Sequence, residues 1–192
     1  MPGFYPNNEY ELAGFCVGVA EKANLYPRPD AIRQGDVLIG LPSNGLHTNG
    51  YSLARKVLLD KYKLSDSPEQ LNGNSIGDEL LKIHKSYLKV ITYLKENAEI
   101  KGFSHITGGG IIGNTKRILP EGLSRHVRWA SWEFPPIFKL IQNTGGIDDD
   151  EMKNVFNLGI GLVIVVSPAE EGKVLRLLRD LKENALVIGE VV

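Results

Sequence analysis

The spacing of apolar positions divides the chain into short strand-like runs and longer helix-like stretches. Asp36 to Leu41 is a near-continuous apolar run, the mark of a buried strand. Leu53 to Tyr62 places Leu53, Val57 and Leu58 at helical spacing. Between them lies Leu41 to Ser52, LPSNGLHTNGYS, a strand-to-helix loop carrying Gly45, Gly50 and a series of polar side chains. The longest helical period covers Asp78 to Asn97. There Leu80, Ile83, Tyr87, Leu88, Ile91 and Leu94 form one stripe, with Lys82, Lys85, Lys89 and Lys95 largely off it. Phe103 to Ile106 is a short apolar run leading into Thr107-Gly108-Gly109-Gly110. Ile111 to Leu119 then reads as a short helix stopped by Pro120.

The flanking parts carry weaker patterns. Met1 to Glu11 is rich in Pro, Gly and Asn and reads as an irregular linker into a domain covering 12–192. Leu12 to Lys22 alternates Phe15, Val17 and Val19 with Gly14, Cys16, Gly18 and Ala20, which predicts a strand with one small-residue face. Cys16 is expected to be buried there. Asn24 to Gly35 is a Pro-rich loop, and Lys63 to Gly77 is polar enough to be surface loop. Leu123, Arg125, Val127 and Trp129 alternate with Ser124, His126 and Arg128, predicting a half-exposed strand.

In the last third, Pro135-Pro136 opens a helix to about Asn143, closed by Gly145-Gly146. Asp148 is a candidate N-cap for a second helix, with Glu151 three residues on. Leu158 to Val166 is a buried strand. Ser167-Pro168-Ala169-Glu170 reads as a capping box with proline at its first helical position, opening a helix through Val174, Leu177, Leu178 and Leu181. Ala185 to Val192 closes the chain as a strand. The sum is an α/β (α+β) protein, with a mixed sheet and helices packed on it in two or three layers.

Composition narrows the function classes. Of 192 residues, 42% are apolar, enough for a real core, and the net charge of −1 leaves no basic surplus for a nucleic-acid backbone. A single cysteine excludes an internal disulfide and a cysteine-rich zinc site. No apolar run has the length of a membrane span, and the N-terminus has neither the basic start nor the apolar core of a signal peptide. These features predict a soluble, cytoplasmic protein.

Candidate chemistry concentrates in two glycine-bearing loops that each lead from a strand into a helix. Backbone N–H groups at a helix start lack intrahelical partners, and the dipole there favours negative charge. Glycine lets a ligand approach the main chain closely. Ser43, Gly45, Asn49 and Tyr51 in the first loop, and Thr107, Gly108, Gly109 and Gly110 in the second, are therefore candidate phosphate or substrate contacts. His47 sits among hydroxyls and amides and is the candidate acid/base or polarising residue. His105 abuts the glycine triplet at a strand end. His84 is expected in a helix with a structural role, and His126 on a solvated strand face. Asp148 to Glu151 reads as acids favoured at a helix start, so no metal ligands are assigned. Phe156-Asn157-Leu158-Gly159-Ile160-Gly161 lacks a following helix and is no dinucleotide fingerprint. Its glycines are expected to relieve crowding.

Together, MPGFY, YELAGFCVGV, GDVLIGLPSNGLHTNGYSL, HITGGG and FNLGIGLVIVV resemble the C-terminal half of the phosphoribosylformylglycinamidine cyclo-ligase (AIR synthetase) family. The resemblance spans nearly the whole chain in the family's order. SxGxHxNGYS and ITGGG recur more loosely in a wider ATP-dependent superfamily with selenophosphate synthetase and the hydrogenase maturation protein. MPGFY and FNLGIG favour the cyclo-ligase over such relatives, or over a phosphate-ligand-binding module without catalysis. The resemblance implies ATP-dependent closure of the imidazole ring in purine biosynthesis. It places most ATP contacts, Mg and the homodimer contacts in an N-terminal domain that has no counterpart in this chain. Ser43, Gly45, His47, Asn49 and Tyr51 match the family's loop motif, and Thr107 to Gly110 its glycine turn. On that reading the chain alone is expected to be inactive.

Overall fold

The computed structural model describes residues 13–192. The expected linker lies outside the described residues.

Five strands form one sheet: β1 (Val37–Pro42), β2 (Ile100–His105), β3 (Arg125–Val127), β4 (Ile160–Val166) and β5 (Leu186–Val191). Their order is β2-β4-β1-β5-β3. Helices α1 (Tyr51–Leu59), α2 (Ile76–Leu80), α3 (Leu88–Asn97), α4 (Gly110–Lys116), α5 (Pro136–Gly145), α6 (Asp149–Val155) and α7 (Pro168–Asp180) pack around it. The α/β class holds. Strand direction is not mixed, since all four pairings among the described residues are antiparallel.

Period-two alternation in the central strands builds two cores. Val37, Ile39 and Leu41 of β1, with Leu162, Ile164 and Val166 of β4, face Val90 and Leu94 of α3 and Val174 and Leu178 of α7. Leu38, Val163 and Val165 point the other way, onto Ile106, Ile111 and Ile118. A third cluster, beyond the end of the sheet, joins α1, α5 and α6 through Leu58, Ile137, Phe138, Met152 and Phe156. Every residue of β4 is buried, which explains its unbroken apolar run.

Three expectations are corrected. First, residues 13–20 form no strand and are exposed throughout, Phe15 at 95% and Val17 at 78%. Alternation yields a strand only where a neighbouring strand satisfies the backbone, and none pairs with this segment among the described residues. Cys16 is consequently exposed rather than buried. Second, Lys63 to Gly77 is not simply surface loop. Leu71 is buried within a 3-10 turn, and α2 begins inside the stretch, with Ser75 and Asp78 forming a capping box.

Third, the long helix expected over Asp78 to Asn97 is two helices. α2 ends at Leu80, α3 starts at Leu88, and residues 81–87 form no helix between them. The intervening backbone is tied to the focal loop instead. Asn44 Nδ2 donates to Ile83 O at 2.7 Å, Tyr51 Oη to Leu80 O at 2.7 Å, and Tyr87 Oη to Pro42 O at 2.8 Å. Tertiary hydrogen bonds thus replace helical ones. Of the predicted stripe, Leu80, Tyr87 and Leu94 are buried, whereas Ile83 and Leu88 are 86% and 72% exposed.

The capping expectations divide. Asp148 caps α6 by accepting from Glu151 N at 2.8 Å. Ser167 precedes α7 but makes no side-chain cap bond, and Glu170 Oε2 accepts from Glu99 N instead.

Candidate functional site

The strand-to-helix loop leaves β1 at Pro42 and enters α1 at Tyr51. Its first half is fixed from below by Asn157, which is 1% exposed. Ser43 Oγ donates to Asn157 Oδ1 at 2.9 Å, Asn157 Nδ2 donates to Gly45 O at 2.9 Å, and Gly159 N donates to Asn157 Oδ1 at 2.8 Å. Ser43 and Gly45 are therefore held by the framework. In the sequence Asn157 stands only as part of a glycine motif, because its partners Ser43 and Gly45 lie over a hundred positions away, beyond the reach of local spacing.

The second half of the loop is strained. His47 and Thr48 have φ of 54° and 60°, the left-handed region that a β-branched residue rarely enters. Thr48 Oγ1 and Asn49 Nδ2 both donate to His47 O, each at 2.6 Å, and hold this geometry. Gly50, with φ of 72°, starts α1 without a side-chain cap, leaving the helix's first amides to another acceptor.

His47 is 3% exposed. Its Nε2 lies 2.7 Å from Asn44 Oδ1, with Asn44 N at 3.2 Å and Lys85 N at 3.4 Å. Its Nδ1 is buried without a partner. Gly161 makes room for the ring, since a Cβ there would lie 2.8 Å from His47 Nδ1 and would strike the Tyr87 hydroxyl. The expectation that FNLGIG glycines relieve crowding holds at this position. Burial, then the charges of His84, His105 and Lys85, lower the His47 pKa from 6.5 to about 4. At neutral pH the ring is an uncharged imidazole.

The second glycine turn lies beside the first. Gly108 N donates to Asn49 Oδ1 at 2.9 Å, so the two loops form one continuous surface. Thr107 Oγ1 donates to Asn114 Oδ1 at 2.9 Å, and Asn114 Nδ2 donates back to Gly110 O at 2.8 Å. Gly109 and Gly110 have φ of 99° and 60°. A side chain at Gly110 would collide with Lys153 O of α6. Gly109 and Gly110 are thus needed for positive φ, and Gly110 also for close helix packing, while the Gly108 and Gly110 amides are engaged within the protein. Tyr51 commits its hydroxyl to Leu80 O.

His84 is not in a helix. It lies on residues 81–87, its ring stacked on His47 with centroids 4.1 Å apart and its Nε2 3.1 Å from His105 Nε2. His47, His84 and His105 each offer a ring nitrogen within 4.8 Å of the others. The helical period over 78–97 hid this meeting, because it placed His84 on a continuous rod. Beside the trio, Thr48, Tyr51, Arg55, Lys82 and His84 line a hollow of about 530 Å³ at the start of α1.

An antiparallel sheet backed by helices, with two glycine loops side by side, defines an α/β domain with one candidate ligand face. The description "AIR synthase related protein, C-terminal domain" matches residues 33–192, and the chain belongs to that family. Curated relatives named phosphoribosylformylglycinamidine cyclo-ligase are 48% identical in Syntrophus aciditrophicus and 47% identical in Acetivibrio thermocellus, each over the whole of this chain. The chain spans 55% and 56% of those relatives' lengths. Among solved structures, the hydrogenase maturation protein HypE of E. coli superposes with a TM-score of 0.54 at 23% identity, over 88% of this chain and 47% of its own. T. maritima PurL complexed with FGAR gives 0.52 at 16% identity, over 89% and 26%. These two likenesses establish the fold.

Proposed function

We propose that this domain is the substrate-side part of an ATP-dependent cyclo-ligase that closes formylglycinamidine ribonucleotide to 5-aminoimidazole ribonucleotide. The observation that carries the proposal is the Asn49–Gly108 hydrogen bond. It makes one face of two loops, next to an uncapped helix start and a hollow bearing Arg55, with Lys82 paired to Glu79 beside it. That combination suits a sugar phosphate. The naming of the relatives and the T. maritima complex with FGAR support the same ligand class.

In this reaction the formyl oxygen attacks the γ-phosphorus of ATP, releasing ADP. The amidine nitrogen then attacks the formyl carbon that bears this oxygen, and ring closure expels the phosphorylated oxygen as phosphate while a proton is lost. The oxygen is a poor leaving group until phosphorylated, so positioning two anionic ligands is the domain's main task. His47, buried and held neutral, positions the loop that meets the substrate. Ser43 and Gly45 fix that loop, Asn49 joins it to Thr107-Gly108-Gly109-Gly110, and Tyr51 sets the start of α1.

Mg²⁺ prefers carboxylate and water oxygens. On the resemblance to the cyclo-ligase family, the nucleotide and its Mg²⁺ belong to the remaining length of the relatives. A cytoplasmic homodimer is the assembly proposed for the complete protein.

The test joins this chain to the N-terminal part of the Syntrophus aciditrophicus relative and assays ring closure. The joined protein should turn over and the 192-residue chain alone should not. His47→Asn in the joined protein should lower kcat by about 100-fold, through misplacement of the substrate loop. Turnover by the chain alone, or an unchanged kcat in the variant, rejects the reading.

A further inference from the structure

We propose that His47, His84 and His105 form a binding site for a divalent transition ion of the zinc, cobalt or nickel class. The three residues come from the β1–α1 loop, the α2–α3 connection and the end of β2, and only the fold brings them together. Their ring nitrogens lie within 4.8 Å of one another. The His84 and His105 Nε2 atoms are 3.1 Å apart, close to the roughly 3.4 Å that separates two ligands of a tetrahedral zinc ion with bonds of about 2.1 Å.

The hydrogen bonds around His84 favour ligation. Thr48 Oγ1 commits its proton to His47 O at 2.6 Å. It therefore accepts from His84 Nδ1–H, 3.3 Å away. That sets the His84 tautomer, with the Nε2 lone pair facing His105. In this ring position His84 thus presents an unprotonated Nε2 beside His105, the form of imidazole that binds a metal.

His47 supplies the second observation. It is 3% exposed, and its Nδ1 is a buried polar atom with no hydrogen-bond partner. Such an atom carries a desolvation cost that an ion, by reordering the ring's bonds, can relieve. The nearby Lys85 ammonium is paired with Glu183 at 2.6 Å, which offsets its repulsion of a cation. For all three rings to share an ion, the His84 ring must turn edge-on from its stack on His47. It borders a hollow of about 540 Å³, lined also by His105, Tyr87 and Ile91, and in turning it gives up its present contact with Thr48 Oγ1. Three imidazoles select a borderline ion over Mg²⁺ or Ca²⁺ and leave one coordination position open.

The test uses the tag-free 192-residue chain, with no nucleotide or substrate, so it is independent of the ring-closure reading. Titration with Co²⁺ should give a saturable visible spectrum of a tetrahedral site at one ion per chain, and Zn²⁺ should abolish it by competition. His84→Gln and His105→Gln should each weaken Co²⁺ by at least about tenfold, while His126→Gln on β3 should not. As a measurement free of any folding defect in the variants, Zn²⁺ should shift the imidazole NMR signals of three of the four histidines and leave His126 in place. Absence of saturable binding, equal weakening by His126→Gln, or shifts that spare His47 overturns the proposal.

Discussion

Asn49 and Gly108 are 59 positions apart, yet the Gly108 N–H donates to Asn49 Oδ1 at 2.9 Å. The Asn49 amide also holds His47 O at 2.6 Å. One side chain therefore joins the glycine turn to the strained part of the β1–α1 loop. Asn49→Ala should cost about 1–2 kcal/mol in urea unfolding, the usual cost of leaving such groups unpaired. In the joined enzyme it should raise KM for the ribonucleotide more than it lowers kcat.

Gly110 and Gly113 lie in the same helix but meet different surroundings. A Cβ at Gly110 would run into Lys153 O at a φ of 60°, while one at Gly113 meets nothing within 4 Å. Gly110→Ala should destabilise by about 3 kcal/mol or more. Gly113→Ala should stabilise by about 0.5–1 kcal/mol. Thermal unfolding of both variants checks this, and equal effects would contradict the packing described.

Much of this fold can be read from sequence, because the relevant forces are local. β1, β4, β5 and α5 to α7 follow from apolar period and cap residues, and the two glycine loops from their place between strand and helix. Two features are not local. Residues 81–87 keep a helical period, but Ile83 O accepts from Asn44 and the Tyr87 hydroxyl donates to Pro42 O across the loop. Residues 13–20 keep a strand period without a strand to pair with. The first of these departures also concealed the histidine trio, since its members are drawn from three separate segments.

The two helix starts predicted alike from sequence should respond differently. Asp148→Ala removes an observed cap bond on α6 and should cost about 1 kcal/mol. Ser167→Ala removes none on α7 and should be nearly neutral. Urea midpoints of the pair decide it.

The His47 pKa, held near 4 by burial and by His84, His105 and Lys85, makes stability depend on pH. The unfolded chain binds a proton near 6.5 and the folded one does not until about 4. Stability is therefore full above pH 6.5 and falls as the pH drops from 6.5 to 4, by up to about 3 kcal/mol from this group. His105 is lowered in the same direction, first by burial, then by His84. His47→Gln should flatten the dependence in that window, as measured by urea unfolding at stepped pH. A His47 imidazole that titrates near 6.5 by NMR would contradict it.

The most direct measurement of the shared site is an amide NMR titration of the 192-residue chain with formylglycinamidine ribonucleotide. The account predicts weak, saturable shifts that follow one binding curve at Thr48, Asn49, Tyr51, Gly108 and Gly109, and their joint weakening in Asn49→Ala. Shifts confined to a single loop, or separate binding curves for the two loops, would show that they do not hold one ligand.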